Sequence, residues 1–421
     1  MNYIINRNFT LLWSGRIVSQ MGDKFYAIAL SLWVLEYMKF PGAMGIYLTS
    51  AMLPGIVLGL FTGPIADRFD KKKILILSDC IRGLIVFGIL TLSLAGILAF
   101  EHIIIASVLL SLSSSFFETS AQSIVPEIVE KEKLQKANSL NQLVGGICSI
   151  LGPAMGAAAV VFFGYECIFV INAISFLISA LFEVFLRYEP EKKEKRSISM
   201  LSDMIEGFRY LGNRKKTMII IIIIGIAHFF MGSLNVAIPF LAGTLDGNTK
   251  QNVGWLEAAI GIGLTLGAIY IGIGRRNRTK DGKLFLYLIA AGLCFTGMGI
   301  LSLVGVKPVV PYLIMLVFMG IAIVNASVYW QSLLQSSTPS SLTGRVFSLS
   351  SLIGNISLPV AFGVYGVILQ GINLADVILI SGLCLVGICG LLMRLYTRIA
   401  QDNGYRSEVQ FLNITITPHP K

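Results

Sequence analysis

The chain has 421 residues, of which 55% are hydrophobic and only 13% are charged, and its net charge is +10. Soluble domains carry about 25% charged residues, so this composition excludes an ordinary water-soluble fold. Long continuous apolar runs also exclude an outer-membrane barrel, whose strands alternate apolar and polar side chains. Only helices and closed barrels satisfy their backbone hydrogen bonds in lipid, so the sequence predicts an all-α polytopic membrane protein.

Twelve apolar segments are long enough to cross a bilayer as helices, and they follow one another through most of the chain. Short polar connections separate them, which predicts antiparallel neighbours. The predicted transmembrane helices cover residues 8–36, 43–66, 74–99, 103–125, 137–163, 166–187, 217–243, 252–274, 284–306, 309–334, 343–370 and 374–396.

The basic residues are distributed unequally between the two sides that this topology defines. Of the 33 Lys and Arg residues, 27 lie in the tails and alternate loops, or at the adjoining span ends, on the side of the amino terminus. Only Lys39, Lys250 and Lys307 lie in the opposite loops. Because cytoplasmic loops carry the excess of Lys and Arg, we expect a multi-pass protein of the cell membrane with both termini in the cytoplasm.

A polar stretch divides the chain into two parts that resemble each other. Gln122-Ser123-x-x-Pro126 follows the fourth span, and Gln335-Ser336-x-x-Pro339 follows the tenth. A repeat at half the chain length predicts two six-helix units. The predicted domains are an N-terminal bundle (1–187), a cytoplasmic linker with an amphipathic segment (188–216), a C-terminal bundle (217–396) and a cytoplasmic tail (397–421).

Residues 63–73 form a charged connection between the second and third spans, with the sequence Gly-Pro-Ile-Ala-Asp-Arg-Phe-Asp-Lys-Lys-Lys. This segment resembles the loop signature of the major facilitator superfamily, Gly-x-x-x-Asp-Arg-x-Gly-Arg-Lys. Asp70 stands where that family usually has its second glycine. The resemblance implies two pseudo-symmetric six-helix bundles that rock around a central site. The matching residues are Gly63, Asp67, Arg68, Lys71 and Lys72.

Further motifs resemble the drug–proton antiporter branch of that superfamily, which includes macrolide exporters. They are Pro126-Glu-Ile-Val, Gly152-Pro153-x-x-Gly156 and Gln335-Ser-Ser-Thr-Pro339-x-x-x-x-Gly344-Arg345-Val346. The resemblance implies a secondary active exporter of amphipathic small molecules, macrolide-like or multidrug, driven by proton antiport. Two alternatives remain: an exporter of one natural compound, such as a siderophore, peptide or lipid, and a non-transporting membrane sensor.

Acidic residues inside predicted spans are candidates for proton coupling, because a charge in a bilayer is costly and is kept for a function. Asp23 lies near the middle of the first span, beside Lys24, where the antiporter branch commonly keeps an acidic residue. Glu118 in the fourth span and Glu257 in the eighth are the other candidates. A structural ion pair is the alternative for Asp23, and an interfacial position is the alternative for Glu257.

A second charged group is expected to form a cytoplasmic gate. Asp79 and Arg82 are three residues apart near the start of the third span, on the side of the charged connection. We expect them to cluster with Gly63, Asp67 and Arg68, and the family resemblance implies that Asp67 meets the start of the eleventh span near Arg345. Glu183 and Arg187, four apart at the end of the sixth span, are predicted to form an ordinary helix ion pair.

Polar and aromatic residues inside the spans are candidates for a substrate pocket. They lie in the first, seventh and tenth spans: Tyr26, Asn235, Asn325, Tyr329 and Gln331. No nucleotide-binding loop, catalytic triad or metal-ligand spacing is present in the sequence, which predicts no enzyme, no cofactor and no metal. The expected partners are a small amphipathic substrate, protons and the lipid bilayer, with no nucleic acid, and the expected oligomeric state is a monomer.

Overall fold

The structure is a computed structural model that describes residues 5–66, 69–188, 209, 212, 214–273, 282–339 and 342–414. Asp67, Arg68 and nearly all of the predicted linker lie outside these described residues. The described chain is helical, without a β-strand. Leu134–Val184 is interrupted at Gly164, where φ is 79°, and therefore contains α5 (134–163) and α6 (165–184). The other helices are α1 Arg7–Met38, α2 Pro41–Ala66, α3 Lys71–Leu94, α4 Phe100–Ile128, α7 Lys215–Thr244, α8 Thr249–Ile273, α9 Lys283–Leu303, α10 Val310–Ser337, α11 Thr343–Gly371 and α12 Leu374–Ile414.

The twelve predicted spans correspond to these twelve helices. The break at Gly164 falls between the predicted fifth and sixth spans, and glycine tolerates its positive φ because it has no Cβ. Ten described stretches are long and apolar enough to cross a membrane. α1 is not among them, because Arg16, Asp23 and Lys24 interrupt its apolar sequence.

Apolar side chains cover the outside of the helical assembly as well as its interior. Phe87, Leu94, Phe162 and Val367 are each more than half exposed. Water would penalise such a surface, whereas the hydrocarbon core of a bilayer accommodates it. The helices therefore bury their polar side chains inward, and the charged residues of interest lie between helices.

The same pattern of helix pairs occurs in both halves of the chain. In the first half α2 packs on α4, α3 on α6, and α1 on α5; in the second half α8 packs on α10, α9 on α12, and α7 on α11. Small residues permit these close approaches. A Cβ on Gly263 of α8 would lie 2.2 Å from the carbonyl oxygen of Val317 in α10. This repeated pairing is the two-bundle, pseudo-symmetric arrangement that the sequence predicts.

The halves meet along α2 and α11, and where the stretch Leu134–Val184 packs on α8. A Cβ on Gly45 of α2 would lie 2.5 Å from the carbonyl oxygen of Phe362 in α11. Thr49 donates a hydrogen bond of 3.1 Å to the carbonyl oxygen of Pro359. These contacts lie toward the ends of α2 and α11 that the predicted topology places outside the cell.

At the opposite end of the first half, the lysines that begin α3 link this helix to α4 and to the residues that follow α6. Asp70 caps α3 by accepting hydrogen bonds from the backbone N–H groups of Lys72 and Lys73. The N-cap favours Asp, which explains why an aspartate replaces the family's second glycine. Lys71 is buried and forms an ion pair of 2.7 Å with Glu127 of α4. Lys71 therefore has a packing role in addition to the topological one that the sequence suggests.

α2 ends at Ala66, as the second predicted span does. One helix end differs from the sequence-based expectation. The predicted tail at 397–421 begins inside a helix, because α12 continues to Ile414. Hydropathy locates where an apolar run ends, and a helix does not stop there unless its backbone loses its hydrogen bonds. The other predicted domain boundaries remain predictions.

Candidate functional site

The larger cavity, with a volume of about 510 Å³, lies among α1, α2 and α4 and is bordered by Asn355 of α11. α4 contributes a row of hydroxyl groups, since residues three and four apart share one helix face. Two carboxylates, Asp23 of α1 and Glu118 of α4, line the same cavity. A concave site that combines apolar walls with a few polar groups suits an amphipathic ligand. The hydroxyl-bearing lining residues are Tyr26, Tyr47, Ser107, Ser111, Ser114, Ser115 and Thr119.

Asp23 connects this cavity to a buried charged cluster. Its side chain is 41% exposed, and one carboxylate oxygen lies 3.7 Å from Nη1 of Arg82 in α3. Arg82 is only 3% exposed, and its Nη2 donates to the buried carboxylate of Asp79. The guanidinium also lies over the rings of Phe117 and Phe176, 4.2 and 4.6 Å from their centroids. Asp23 is thus the member of this cluster that reaches the cavity.

Glu118 forms a second ion pair on the cavity wall. Nη2 of Arg16 in α1 donates to Glu118 at 2.5 Å, and the Glu118 side chain is 40% exposed. The two cavity carboxylates therefore each face one arginine, Glu118 at hydrogen-bond distance and Asp23 at a longer distance. This difference makes Asp23 the more weakly held of the two.

Tyr26 is the pocket candidate that lies in the cavity. Its ring is 5% exposed and packs edge-on against Phe169 of α6, with the centroids 5.5 Å apart. Its buried hydroxyl has no hydrogen-bond partner in the part of the chain that the structure describes. A buried donor without a partner is unusual, and a bound water, ion or ligand group would satisfy it.

A second cavity of about 300 Å³ lies in the other half, among α7, α9, α10, α11 and α12. His228, Met231 and Trp330 line it, together with Asn355, which also borders the larger cavity. A ring nitrogen of His228 lies 2.8 Å from the carbonyl oxygen of Ile224. Asn355 therefore joins the two cavities, and nothing in its sequence context singled it out.

Four of the predicted pocket residues line neither cavity. Asn235 is exposed and donates to the carbonyl oxygen of Met231, while Asn325 is buried and donates to that of Ile321. The Tyr329 ring stacks on Tyr287, and its hydroxyl accepts from Lys283. Gln331 is exposed. A pocket role for these four stays a prediction, because it depends on the rotation of α7 and α10, which sequence periodicity leaves undetermined in an all-apolar helix.

Glu257 lies at the boundary between the halves. It is half-buried in α8, and the charge of Lys24 in α1 acts on it without an ion-pair contact between the two residues. The opposite charges of Glu257 and Lys24 attract across the boundary between the halves. The predicted position of Glu257 near the outer membrane interface stays a prediction.

The predicted gate is described only in part. Asp67 and Arg68 lie outside the described residues, and Arg345 lies in the first turn of α11. Asp79 and Arg82 are buried in the first half, where Arg82 contacts both Asp79 and Asp23, as given above. Their predicted cluster with Asp67 and Arg68 stays a prediction, but their contacts join α3 to α1.

At the end of the helical assembly opposite to the predicted gate, a small polar cluster connects the two halves. Glu36 of α1 accepts a 2.8 Å ion-pair contact from Lys250 of α8 and a 2.5 Å hydrogen bond from the Tyr165 hydroxyl of α6. The Lys250 ammonium also lies 4.7 Å from the centroid of the Tyr165 ring. We call Glu36, Tyr165 and Lys250 the outer clasp.

Comparison with known proteins places this arrangement in a family. The sequence profile of the Major Facilitator Superfamily matches residues 12–363. The chain belongs to the major facilitator superfamily. Macrolide efflux protein A of Streptococcus pyogenes is 22% identical over 91% of this chain and 95% of its own length. The enterobactin exporter EntS of Escherichia coli O1:K1 is 25% identical over 81% of this chain and 80% of its own length.

Solved structures of this superfamily share the fold. The crystal structure of the nucleoside transporter NupG is 14% identical in sequence and covers 93% of this chain and 98% of its own, with a TM-score of 0.71. The chain is therefore a multi-pass membrane transporter of the major facilitator superfamily and not an enzyme. At these identities the fold and the general class carry over, and the substrate does not.

Proposed function

We propose that this transporter exports amphipathic small molecules, macrolide-like or multidrug, in exchange for protons. The observation that supports it is the position of Asp23: its carboxylate lies on the wall of the larger cavity and 3.7 Å from the buried Arg82. A carboxyl in that position contacts the contents of the larger cavity on one side and a buried positive charge on the other. Acidic residues inside membrane helices commonly mark proton relays.

Proton binding and substrate binding compete at this wall. A proton on Asp23 cancels the charge that faces Arg82, so the guanidinium is no longer attracted toward α1. Substrate bound beside Asp23 disfavours the protonated form if it brings a cationic or hydrogen-bond-donating group. Coupling in either direction requires only that each ligand prefers a different arrangement of the same residues.

Alternating access supplies the conformational change. The halves touch through the small-residue contact of α2 with α11 and through the outer clasp. In this fold the bundles rock as largely rigid bodies around a midplane site. We propose that both termini are cytoplasmic, that the protein acts as a monomer, and that Glu118 supports Asp23 through the charge of Arg16.

A second candidate is export of one defined natural compound. Its support is the similarity to an enterobactin exporter, beside the similarity to a macrolide exporter. The hydroxyl row of α4 suits a ligand with many polar groups. A substrate screen separates the two, since a specific exporter accepts one chemical class and a multidrug exporter accepts several.

Transport in proteoliposomes with an imposed pH step tests the proposal. The wild type is expected to move a macrolide or a cationic dye uphill against its gradient, and an uncoupler is expected to abolish this movement. Asp23→Asn removes the titrating group while keeping its shape and is expected to abolish uphill transport. Asp246→Asn, an exposed residue between α7 and α8, is the matched control and is expected to transport normally. Full uphill transport by Asp23→Asn contradicts the proposal.

A further inference from the structure

A row of polar side chains follows the face of α6 that is turned away from lipid. The residues are spaced three and four apart, so they lie on one side of the helix. The glycines of α1 pack against them: a Cβ on Gly15 would lie 3.1 Å from Ser179 Oγ, and one on Gly22 would lie 2.3 Å from Ser175 Oγ. The row consists of Asn172, Ser175, Ser179 and Glu183, which are 0%, 4%, 0% and 1% exposed.

Glu183 ends this row without a partner. Both of its carboxylate oxygens are buried and have no hydrogen-bond donor within the described ranges. The expected ion pair with Arg187 does not form, because Arg187 lies beyond the end of α6 and its backbone N–H donates to Asn8 instead. The sequence pattern of Glu and Arg four residues apart was misleading, since the second residue is no longer helical.

The charged and titratable groups around Glu183 belong to three other helices. Asp79, Cys80 and Arg82 of α3 lie within electrostatic range of it. Beyond Arg82 lies Asp23 of α1, and Glu118 of α4 acts on Asp79. The Glu118 charge is already opposed by Arg16.

Charge balance then decides the state of Glu183. One guanidinium, that of Arg82, serves three carboxyls: it donates to Asp79, faces Asp23 at 3.7 Å, and offers no hydrogen bond to Glu183. If all three were ionised, two negative charges would be left over; Asp23 reaches the cavity, but Glu183 is fully buried. An ionised carboxylate with neither partner nor solvent is far more costly than a neutral acid.

We propose that Glu183 is a second proton-binding site of this transporter, which shares Arg82 with Asp23. In the arrangement described here Glu183 holds a proton while Arg82 serves Asp79 and Asp23. When Asp23 takes up a proton from the cavity, Arg82 is released toward α6 and stabilises ionised Glu183, whose proton leaves at the end of α6 that the predicted topology places in the cytoplasm, so one proton is bound in each arrangement. This inference rests on the proposed proton coupling and makes Glu183 the site from which the exchanged proton is discharged.

Infrared difference spectroscopy of purified protein tests the state of Glu183 without transport. The wild type is expected to show the carbonyl band of a protonated carboxylic acid at neutral pH. Glu183→Gln is expected to lose this band. Glu166→Gln is the control and is expected to keep it, because Glu166 lies at the other end of α6, accepts a hydrogen bond from Ser93 and takes no part in the cluster. A wild-type spectrum without the band overturns the inference, and this result needs no variant to fold.

The number of protons exchanged per substrate, measured from the pH gradient that just balances a substrate gradient, tests the coupling. One proton is expected for the wild type and for Glu166→Gln, and none for Glu183→Gln, which cannot discharge it. Glu183→Asp, which restores a carboxyl, is expected to recover part of the proton exchange. One proton in both wild type and Glu183→Gln overturns this inference and leaves the proposed function intact. No proton in the wild type overturns the proposed function as well.

Discussion

From the outer clasp we predict how one substitution changes the relative populations of the inward-open and outward-open states. Lys250→Gln removes the ammonium that contacts Glu36 at 2.8 Å but keeps a side chain of similar length. The hydrogen bond from Tyr165 to Glu36 remains, so the change reports the contact between the halves. We expect the closed outer end to lose stability relative to the opened one, because the clasp has to break when the halves separate there.

The magnitude follows from the exposure of the pair. The side chains of Glu36 and Lys250 are 46% and 32% exposed, so water screens their attraction. Exposed pairs contribute about 0.2–1 kcal/mol. Because about 1.4 kcal/mol is a tenfold change in an equilibrium constant, the population of the outward-open state is expected to rise by up to about fivefold.

Pulsed electron resonance measures that population directly. Spin labels at Ile97 and Ile372, which are exposed in connections of the two halves, report the outer distance in a cysteine-replaced background. Glu36→Gln is expected to shift the distribution in the same direction, and the double variant is expected to shift it by less than the sum. Lys307→Gln, an exposed lysine outside the clasp, is the control. Strictly additive effects of the two clasp variants would refute a direct interaction across the halves.

Two further predictions concern stability in detergent. Lys71→Met is expected to lower the free energy of unfolding by about 3–5 kcal/mol, because it leaves Glu127 buried without its lysine. Lys73→Met changes an exposed position, and its free energy of unfolding is expected to lie within about 0.5 kcal/mol of the wild type. Equal thermal shifts for the two lysine variants would contradict the buried pair. Gly263→Ala is expected to lower the melting temperature through a cost of about 1–3 kcal/mol, because its Cβ would lie 2.2 Å from the Val317 carbonyl oxygen. Gly88→Ala, with open space around it in α3, is expected to hold or raise the melting temperature.

The spans were predictable because the cost of placing polar backbone and charge in lipid dominates the sequence. The same argument placed Asp23 and Glu118 inside the fold, and both line the larger cavity. An acidic residue inside an apolar run can therefore be recognised as a candidate from the sequence, without the tertiary structure.

Helix rotation was not predictable in the same way. Trp330 lines the second cavity, whereas its neighbours Tyr329 and Gln331 do not. One residue along a helix turns the side chain by about 100°, and an all-apolar helix has no polar face that records its orientation. Glu183 was misassigned for a related reason, since its predicted partner Arg187 lies past the helix end, which hydropathy does not locate.

Proton release on substrate binding is the most direct test of the claim that Asp23 exchanges a proton against substrate. Purified wild-type protein in weakly buffered detergent is expected to acidify the medium when a transported macrolide or dye is added near neutral pH. Asp23→Asn is expected to bind the same compound without acidification, and Asp246→Asn is expected to behave like the wild type. Substrate binding to the wild type with no release of protons at any pH between mildly acidic and mildly basic would contradict the account.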